Sequence, residues 1–105
     1  MEETSKGTIV VERRFDAVNE KGEEYEILLR VNTPSHDSRP NGDWYCTYTI
    51  AGITEYRREG KAFGVDSLQA FLLALNKAHS DLRYIQQTYQ FDLTWLGQND
   101  LGIQI

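Results

Sequence analysis

Residues 66–89, DSLQAFLLALNKAHSDLRYIQQTY, decide the fold, because their apolar residues have the spacing of one long helix. Apolar side chains recur there at alternating steps of three and four residues, which places them on one helical face. The stripe consists of Leu68, Phe71, Leu75, Ala78, Leu82, Ile85 and Tyr89. The segment allows about six turns of helix. A helix of this kind needs an apolar surface to cover.

The start of the helix is marked by a capping pattern. Asp66 and Gln69 have the spacing of a capping box, in which a carboxylate accepts from the amide three residues on and the amide side chain reaches back. Val65 precedes the cap, so we expect it to pack as a hydrophobic staple.

Ahead of the helix, the sequence alternates in the manner of β-strands. The predicted strands span residues 8–15, 25–31, 44–50 and 54–63. The expected inward-facing residues are Ile9, Val11 and Phe15 in the first, Tyr25, Ile27, Leu29 and Val31 in the second, and Trp44, Cys46, Tyr48 and Ile50 in the third. Gly60 interrupts the fourth strand and predicts a bulge.

Together these patterns predict an α+β fold: an antiparallel sheet of about four strands packed against one long helix. Residues 91–97 alternate briefly, which predicts a short C-terminal strand or an ordered loop. Residues 32–43 contain both prolines and predict the one long loop. We expect residues 1–105 to form a single domain, with residues 1–7 disordered.

Composition narrows the function classes. The formal charge of −5 disfavours nucleic acid and anionic lipid, and it suits a basic partner or solubility. The longest near-apolar run, residues 70–75, is too short to span a membrane, and residues 1–7 do not resemble a signal peptide. The single cysteine excludes an intrachain disulfide. We therefore expect a cytoplasmic protein with neither nucleic acid nor a membrane as its partner.

Basic and aromatic residues on the predicted strands resemble the platforms that bind single-stranded nucleic acid. They are Arg13, Arg14, Arg30, Arg57 and Arg58, near Tyr45 and Tyr56. Cross-strand ion pairs with Glu12, Glu26 and Glu55 explain them more simply, since opposite charges on neighbouring strands attract.

Few residues offer catalytic or metal-binding chemistry. Cys46 is a potential nucleophile with His36 or His79 as base, but its place within an apolar strand favours a buried, unreactive thiol. His79 lies beside the helical stripe, so we expect it to be half-buried. A closed zinc site needs four ligands, and this chain has two histidines and one cysteine. We expect no enzyme activity, no metal and no cofactor.

Three stretches resemble a known family: residues 42–52 (GDWYCTYTIAG), 64–75 (GVDSLQAFLLAL) and 93–102 (LTWLGQNDLG). Together they are similar to a family of small bacterial domains of unknown function, in which a sheet is followed by a helix. The resemblance implies this fold and no activity, so it assigns a role to no residue.

A non-enzymatic protein-interaction module is the function that this composition favours, and proteins similar to immunity proteins or antitoxins belong to this class. The candidate partner-binding residues lie roughly opposite the stripe on a helical wheel, and they are Ala70, Leu73, Lys77 and Tyr84. Two interpretations of this face are open. Either the C-terminal segment around Trp95 covers it, or it contacts a partner protein or a second copy of the chain.

The alternative is a small ligand-binding or enzymatic domain. It would use the loop at residues 32–43 and the start of the third predicted strand. The candidate ligand-binding residues are His36, Asp43, Trp44 and Tyr45.

Overall fold

In the computed structural model, residues 8–38, 42–52 and 57–103 are described. Within these ranges, one six-stranded sheet packs against one helix, which confirms the predicted α+β fold. The elements are β1 (Ile9–Val18), β2 (Glu24–Asn32), β3 (Ser35–His36), β4 (Trp44–Ala51), β5 (Arg57–Gly64), α1 (Ser67–Tyr89) and β6 (Asp92–Thr94). The expectation of disorder for residues 1–7 concerns residues outside the described ranges.

All neighbouring strands of the sheet are antiparallel. From one edge to the other the order is β5, β4, β2, β1 and β6. The short strand β3 pairs with the first residues of β4, beyond the point where β2 ends its pairing. The predicted long loop therefore contains a short strand.

Alternation places the core residues of β2 and β4 as predicted. Ile27, Leu29 and Val31 are buried on one face of β2. The corresponding face of β4 carries the buried side chains of Cys46 and Tyr48, together with Ile50. This shared face receives α1, which lies over β4 and β5.

The start of β1 departs from the prediction. Phe15 is buried, but Ile9 and Val11 are 44% and 43% exposed. The register of pairing between β1 and β2 shifts between these two residues. The helix α1 lies near the other edge of the sheet, over β4 and β5. No described element therefore packs over the first residues of β1 closely enough to bury both side chains.

The predicted helix cap is confirmed. Asp66 Oδ1 accepts a hydrogen bond from the Gln69 amide at 2.8 Å, and Gln69 Oε1 accepts from the Val65 amide at 2.7 Å. The staple prediction is wrong, because Val65 is 77% exposed. The helix ends at Gln90, whose left-handed backbone directs its amide to the Gln86 carbonyl.

The buried face of α1 is rotated relative to the predicted stripe. It consists of Ala70, Ala74, Ala78, Asp81, Leu82 and Ile85. Leu68 and Tyr89, both in the predicted stripe, are exposed. Alanines suit this contact because the helix packs closely on β5: a Cβ on Gly64 would lie 2.5 Å from the Ala70 amide nitrogen. The predicted position of Ala70 opposite the core is therefore wrong.

The C-terminal segment covers β1 and β2. It contributes β6, which pairs with β1, and confirms the predicted short C-terminal strand. Phe91 stacks edge-on against Tyr25 with ring centroids 5.3 Å apart. The Arg13 guanidinium lies 3.7 Å from the ring centroid of Trp95, and it donates a hydrogen bond to the Leu101 carbonyl at 3.1 Å.

Gly60 does not form a bulge. The pairing of β4 with β5 is regular from Trp44–Gly64 to Ala51–Arg57. A Cβ on Gly60 would lie 2.2 Å from Cζ of Tyr48, the residue paired with it. Glycine at this position makes room for the phenol ring.

Candidate functional site

An open strand edge lies beside an apolar flank of the helix. Of the strands that the structure describes, only β4 pairs with β5, so β5 forms one edge of the sheet. Strand edges carry backbone donors and acceptors that a further strand can bind. The Lys77 ammonium donates a hydrogen bond to the Lys61 carbonyl at 3.1 Å, which shows that this carbonyl is directed to the helix-side margin of β5.

Large apolar side chains are exposed on both sides of this edge. Leu73 and Tyr84 of α1 are 43% and 55% exposed on the helix side, and Phe63 of β5 is 54% exposed on the helix-free side, where its ring centroid lies 6.3 Å from that of Tyr45. We call these residues, with their charged neighbours, the β5–α1 surface. Its members are Glu59, Lys61 and Phe63 of β5 and Leu73, Lys77 and Tyr84 of α1.

The described part of the C-terminal segment packs away from the predicted helix face, which includes Leu73 and Tyr84. The segment around Trp95 packs over Arg13 of β1, and Leu73 and Tyr84 stay exposed. The Arg83 guanidinium, on another side of α1, donates to the Asn99 carbonyl at 3.1 Å. The described part of the C-terminal segment, which ends at residue 103, therefore contacts a different flank of the helix and does not cover this face. Of the four predicted residues, Leu73, Lys77 and Tyr84 are exposed along one flank of α1.

The residues of the ligand-binding alternative do not converge. The rings of His36 and Trp44 are 5.1 Å apart, and Trp44 packs against the core on the helix side of β4. Tyr45 is the next residue of the strand, so its side chain points to the opposite, helix-free face. Asp43 is exposed, and its carbonyl accepts from the Asp37 amide at 2.9 Å.

The helix-free face has a shallow depression that includes Tyr45. Four cationic side chains and one carboxylate line it: Arg30, Arg57, Lys61, Lys77 and Glu59. The Lys61 ammonium lies 4.8 Å from the ring centroid of Tyr45. Strand alternation places Tyr45, Arg57 and Lys61 on one face of the sheet. The sequence prediction did not combine these three residues into one site.

Ion pairs occupy several of the strand arginines. Arg14 and Glu26 are 2.8 Å apart, and Arg30 and Glu12 are 3.4 Å apart, so these two predicted cross-strand pairs are confirmed. Glu55 lies outside the described residues.

A polar cluster that the sequence prediction missed joins the sheet to the helix. Asp81 is 7% exposed, accepts a hydrogen bond from the Tyr48 hydroxyl, and lies 2.9 Å from Arg58 Nε. The one sequence signal was the position of Asp81 beside Leu82, within the apolar segment of the helix. The cluster fixes the helix on the sheet.

The potential nucleophile is buried, as predicted. Cys46 has no exposed surface, and its thiol donates to the Asn32 carbonyl at 3.3 Å. Burial raises the pKa of the Cys46 thiol to about 11, so the thiol is protonated at neutral pH.

Two further expectations concern the burial of His79 and a metal site. His79 is half-buried, as predicted, and its pKa is lowered by burial and then by the charge of Arg83. Among the described residues, no group of three or more His, Cys, Asp or Glu side chains is placed to hold a metal ion. Likewise, α1 is not apolar enough over its length to cross a membrane.

Comparison with known proteins places the chain in a family without assigning a role. No curated protein and no solved structure matches it significantly. Residues 11–105 match a domain of unknown function (DUF6968). This match covers nearly the whole chain and includes every residue of the β5–α1 surface. The chain therefore belongs to the DUF6968 family, which confirms the predicted resemblance to a family of domains of unknown function.

Proposed function

We propose that this chain is a non-enzymatic protein-interaction module that binds its partner through the β5–α1 surface. The observation that carries the proposal is that exposed Leu73 and Tyr84 lie on the same flank of α1 as Lys77, whose ammonium contacts the open edge of β5. Exposed apolar side chains next to unpaired strand edges are features of protein-binding surfaces.

The two parts of the surface suit different contributions to binding. A partner strand added to β5 would form main-chain hydrogen bonds, and these give affinity with little dependence on sequence. Leu73 and Tyr84 would supply the apolar contact that decides which partner fits. Tyr is one of the residues that contribute most to binding at interfaces, because its ring is large and its hydroxyl tolerates water.

Two further properties support a binding role. The Cys46 thiol is buried and protonated, so it is poorly suited to nucleophilic catalysis. The β5–α1 surface itself carries charges of both signs, on Glu59, Lys61 and Lys77, which suits a partner of complementary charge, as in an immunity-like or antitoxin-like protein.

A quantitative capture experiment tests the proposal. The tagged wild-type chain and the tagged Leu73→Glu and Tyr84→Glu variants serve as baits in an extract to which the untagged, isotope-labelled chain is added, and captured proteins are compared by mass spectrometry. We expect a partner that is enriched by the wild type and lost with both variants, whose folding is checked by circular dichroism. Leu96→Glu is the matched control, because Leu96 is 77% exposed in the turn after β6 and outside this surface. Equal capture by all baits contradicts the proposal.

A second candidate function is the binding of a small anionic ligand in the depression on the helix-free face. The observation that favours it is that Arg57, Lys61 and Lys77 line one depression, in which the Lys61 ammonium lies 4.8 Å from the ring centroid of Tyr45. Thermal-shift measurements with phosphate, nucleotides and organic acids test it, because a ligand that binds only the folded state raises the melting temperature. A shift that Lys61→Ala abolishes supports the ligand site; no shift with any compound contradicts it.

A further inference from the structure

We infer that the partner at the β5–α1 surface is a second copy of this chain. The two copies join edge to edge through antiparallel β5 strands, about a two-fold axis beside Gly60. The inference rests on the proposed function and adds the identity and register of the partner. The surface has two halves, the edge of β5 and the exposed flank of α1. The inference is carried by the fact that each half is complementary to its own copy about the same two-fold axis.

The charges of β5 match in this register. A two-fold axis beside Gly60 places Glu59 opposite Lys61 of the second copy, and the symmetric pair repeats the contact. It also places Arg57 opposite the exposed ring of Phe63 of the second copy. Opposite charges and cation–aromatic pairs directly across antiparallel strands are favourable. When two copies of β5 (RREGKAFG) run antiparallel in this register, these residues of one copy therefore face favourable partners on the other.

The backbone polarity of β5 fits the same register. The Lys61 carbonyl accepts from the Lys77 side chain, so the polar groups of Lys61 are directed away from β4. Along a strand, these directions alternate, and Glu59 and Phe63 share the direction of Lys61. Glu59 and Lys61 of opposite copies therefore meet as a pair that exchanges two main-chain hydrogen bonds. Lys77 releases the carbonyl when this pair forms.

The helix has a fixed alignment with β5. Three contacts define it: Gly64 with Ala70, Lys61 with Lys77, and Arg58 with Asp81. The two elements run in opposite directions, and Gly60 is level with the turn of α1 between Lys77 and Asp81. The axis that passes beside Gly60 therefore passes beside the middle of this turn.

The same axis brings the apolar residues of the two helices together. Leu73 and Tyr84 lie equally far, in opposite directions, from the point between Ala78 and His79. A two-fold axis level with that point places Leu73 of each copy against Tyr84 of the other. Both side chains are exposed in the single chain, and both would be covered in the dimer.

The spacing of the helices is also compatible. The helix lies over both β4 and β5, and neighbouring strands are about 4.8 Å apart. Each helix axis then stands about one strand spacing from the two-fold axis, which puts the two helices about 10 Å apart. Packed helices in proteins are separated by about 8–10 Å. Strand pairing and helix contact can thus form together.

Charge reversal at the paired positions tests the inference. The mass of the full chain is measured by sedimentation over a range of concentrations. We expect a wild-type dimer and, for Glu59→Lys or Lys61→Glu alone, a dissociation constant raised roughly tenfold or more, because two attractive cross-strand pairs become repulsive. An equimolar mixture of the two variants restores the opposite charges, so it associates with an affinity near that of the wild type.

The controls reverse the same charges elsewhere. Glu20→Lys and Lys21→Glu, in the turn between β1 and β2, should dimerise like the wild type. Circular dichroism verifies the fold of every variant. A monomeric wild type overturns the inference and means that the charges of β5 keep the edge unpaired. A dimer that either single variant leaves unchanged also overturns it. The proposed function fails separately, when Leu73→Glu has no effect on the capture of any partner.

Discussion

The hydroxyl of Tyr48, in the middle of β4, donates a hydrogen bond to the carboxylate of Asp81 on the buried side of α1. Tyr48 is fully buried, and Asp81 is 7% exposed. Arg58 Nε lies 2.9 Å from the same carboxylate. The cluster connects β4, β5 and α1, and it holds the helix at a defined height along the edge strand.

Replacement of Asp81 by alanine should destabilise the protein. The substitution removes the carboxylate that accepts from Tyr48 and leaves a buried hydroxyl without that acceptor. We expect the free energy of unfolding to fall by about 1–3 kcal/mol, the usual cost of an unsatisfied buried polar group. Urea denaturation measures it. A double-mutant cycle with Tyr48→Phe should show coupling of about 0.5–3 kcal/mol; strictly additive effects would contradict the link.

Gly60→Ala should also destabilise the protein, because the new methyl group meets the Tyr48 ring. A Cβ at this position would lie 2.2 Å from Tyr48 Cζ, so the ring or the strand must shift. Overpacking of this kind costs about 1–3 kcal/mol. Thermal denaturation measures the loss. In a Tyr48→Leu background the added cost should be smaller; the same cost in both backgrounds would show that the ring is not the cause.

The strands could largely be predicted from the sequence, because alternation reports burial directly where a strand has one covered face. Cys46 and Tyr48 are buried for this reason. The prediction failed at Val11 and Ile9, because burial there depends on where the covering layer ends. Gly60 was misinterpreted because a glycine in a strand indicates either a bulge or a close neighbour, and the neighbour, Tyr48, is on another strand.

The helix was predicted in its extent and its cap, but not in its orientation. Large apolar residues define the predicted stripe, whereas the sheet is contacted chiefly by Ala70, Ala74 and Ala78. Small residues allow close approach to the glycines of β5, and a hydrophobicity pattern weights them too little. The binding surface could be predicted only in part for the same reason. The sequence identifies Leu73 and Tyr84, but the open edge of β5 is a property of the assembled sheet.

The rotation of the helix predicts different costs for two leucine-to-alanine substitutions. Leu82 is fully buried, whereas Leu75 is only partly buried against the core. We expect Leu82→Ala to lower the free energy of unfolding by about 2–5 kcal/mol, the range for buried leucines. Leu75→Ala should cost less, because its side chain already contacts water. Urea denaturation of both variants decides this; an equal or larger cost at Leu75 would favour the stripe predicted from the sequence.

The burial of Cys46 predicts a loss of stability at high pH. Folding raises the pKa of the thiol from its ordinary value of 9.0 to about 11, so the folded state retains a proton that the unfolded state releases. The resulting stabilisation is complete below pH 9 and is lost as the pH rises through about 11, by roughly 2–3 kcal/mol. The measurement is the difference in unfolding free energy between wild type and Cys46→Ala from pH 8 to 11. All other groups are common to both proteins, so the difference isolates the contribution of Cys46. A difference that does not change with pH, or rapid labelling of the native thiol, would contradict the burial of Cys46.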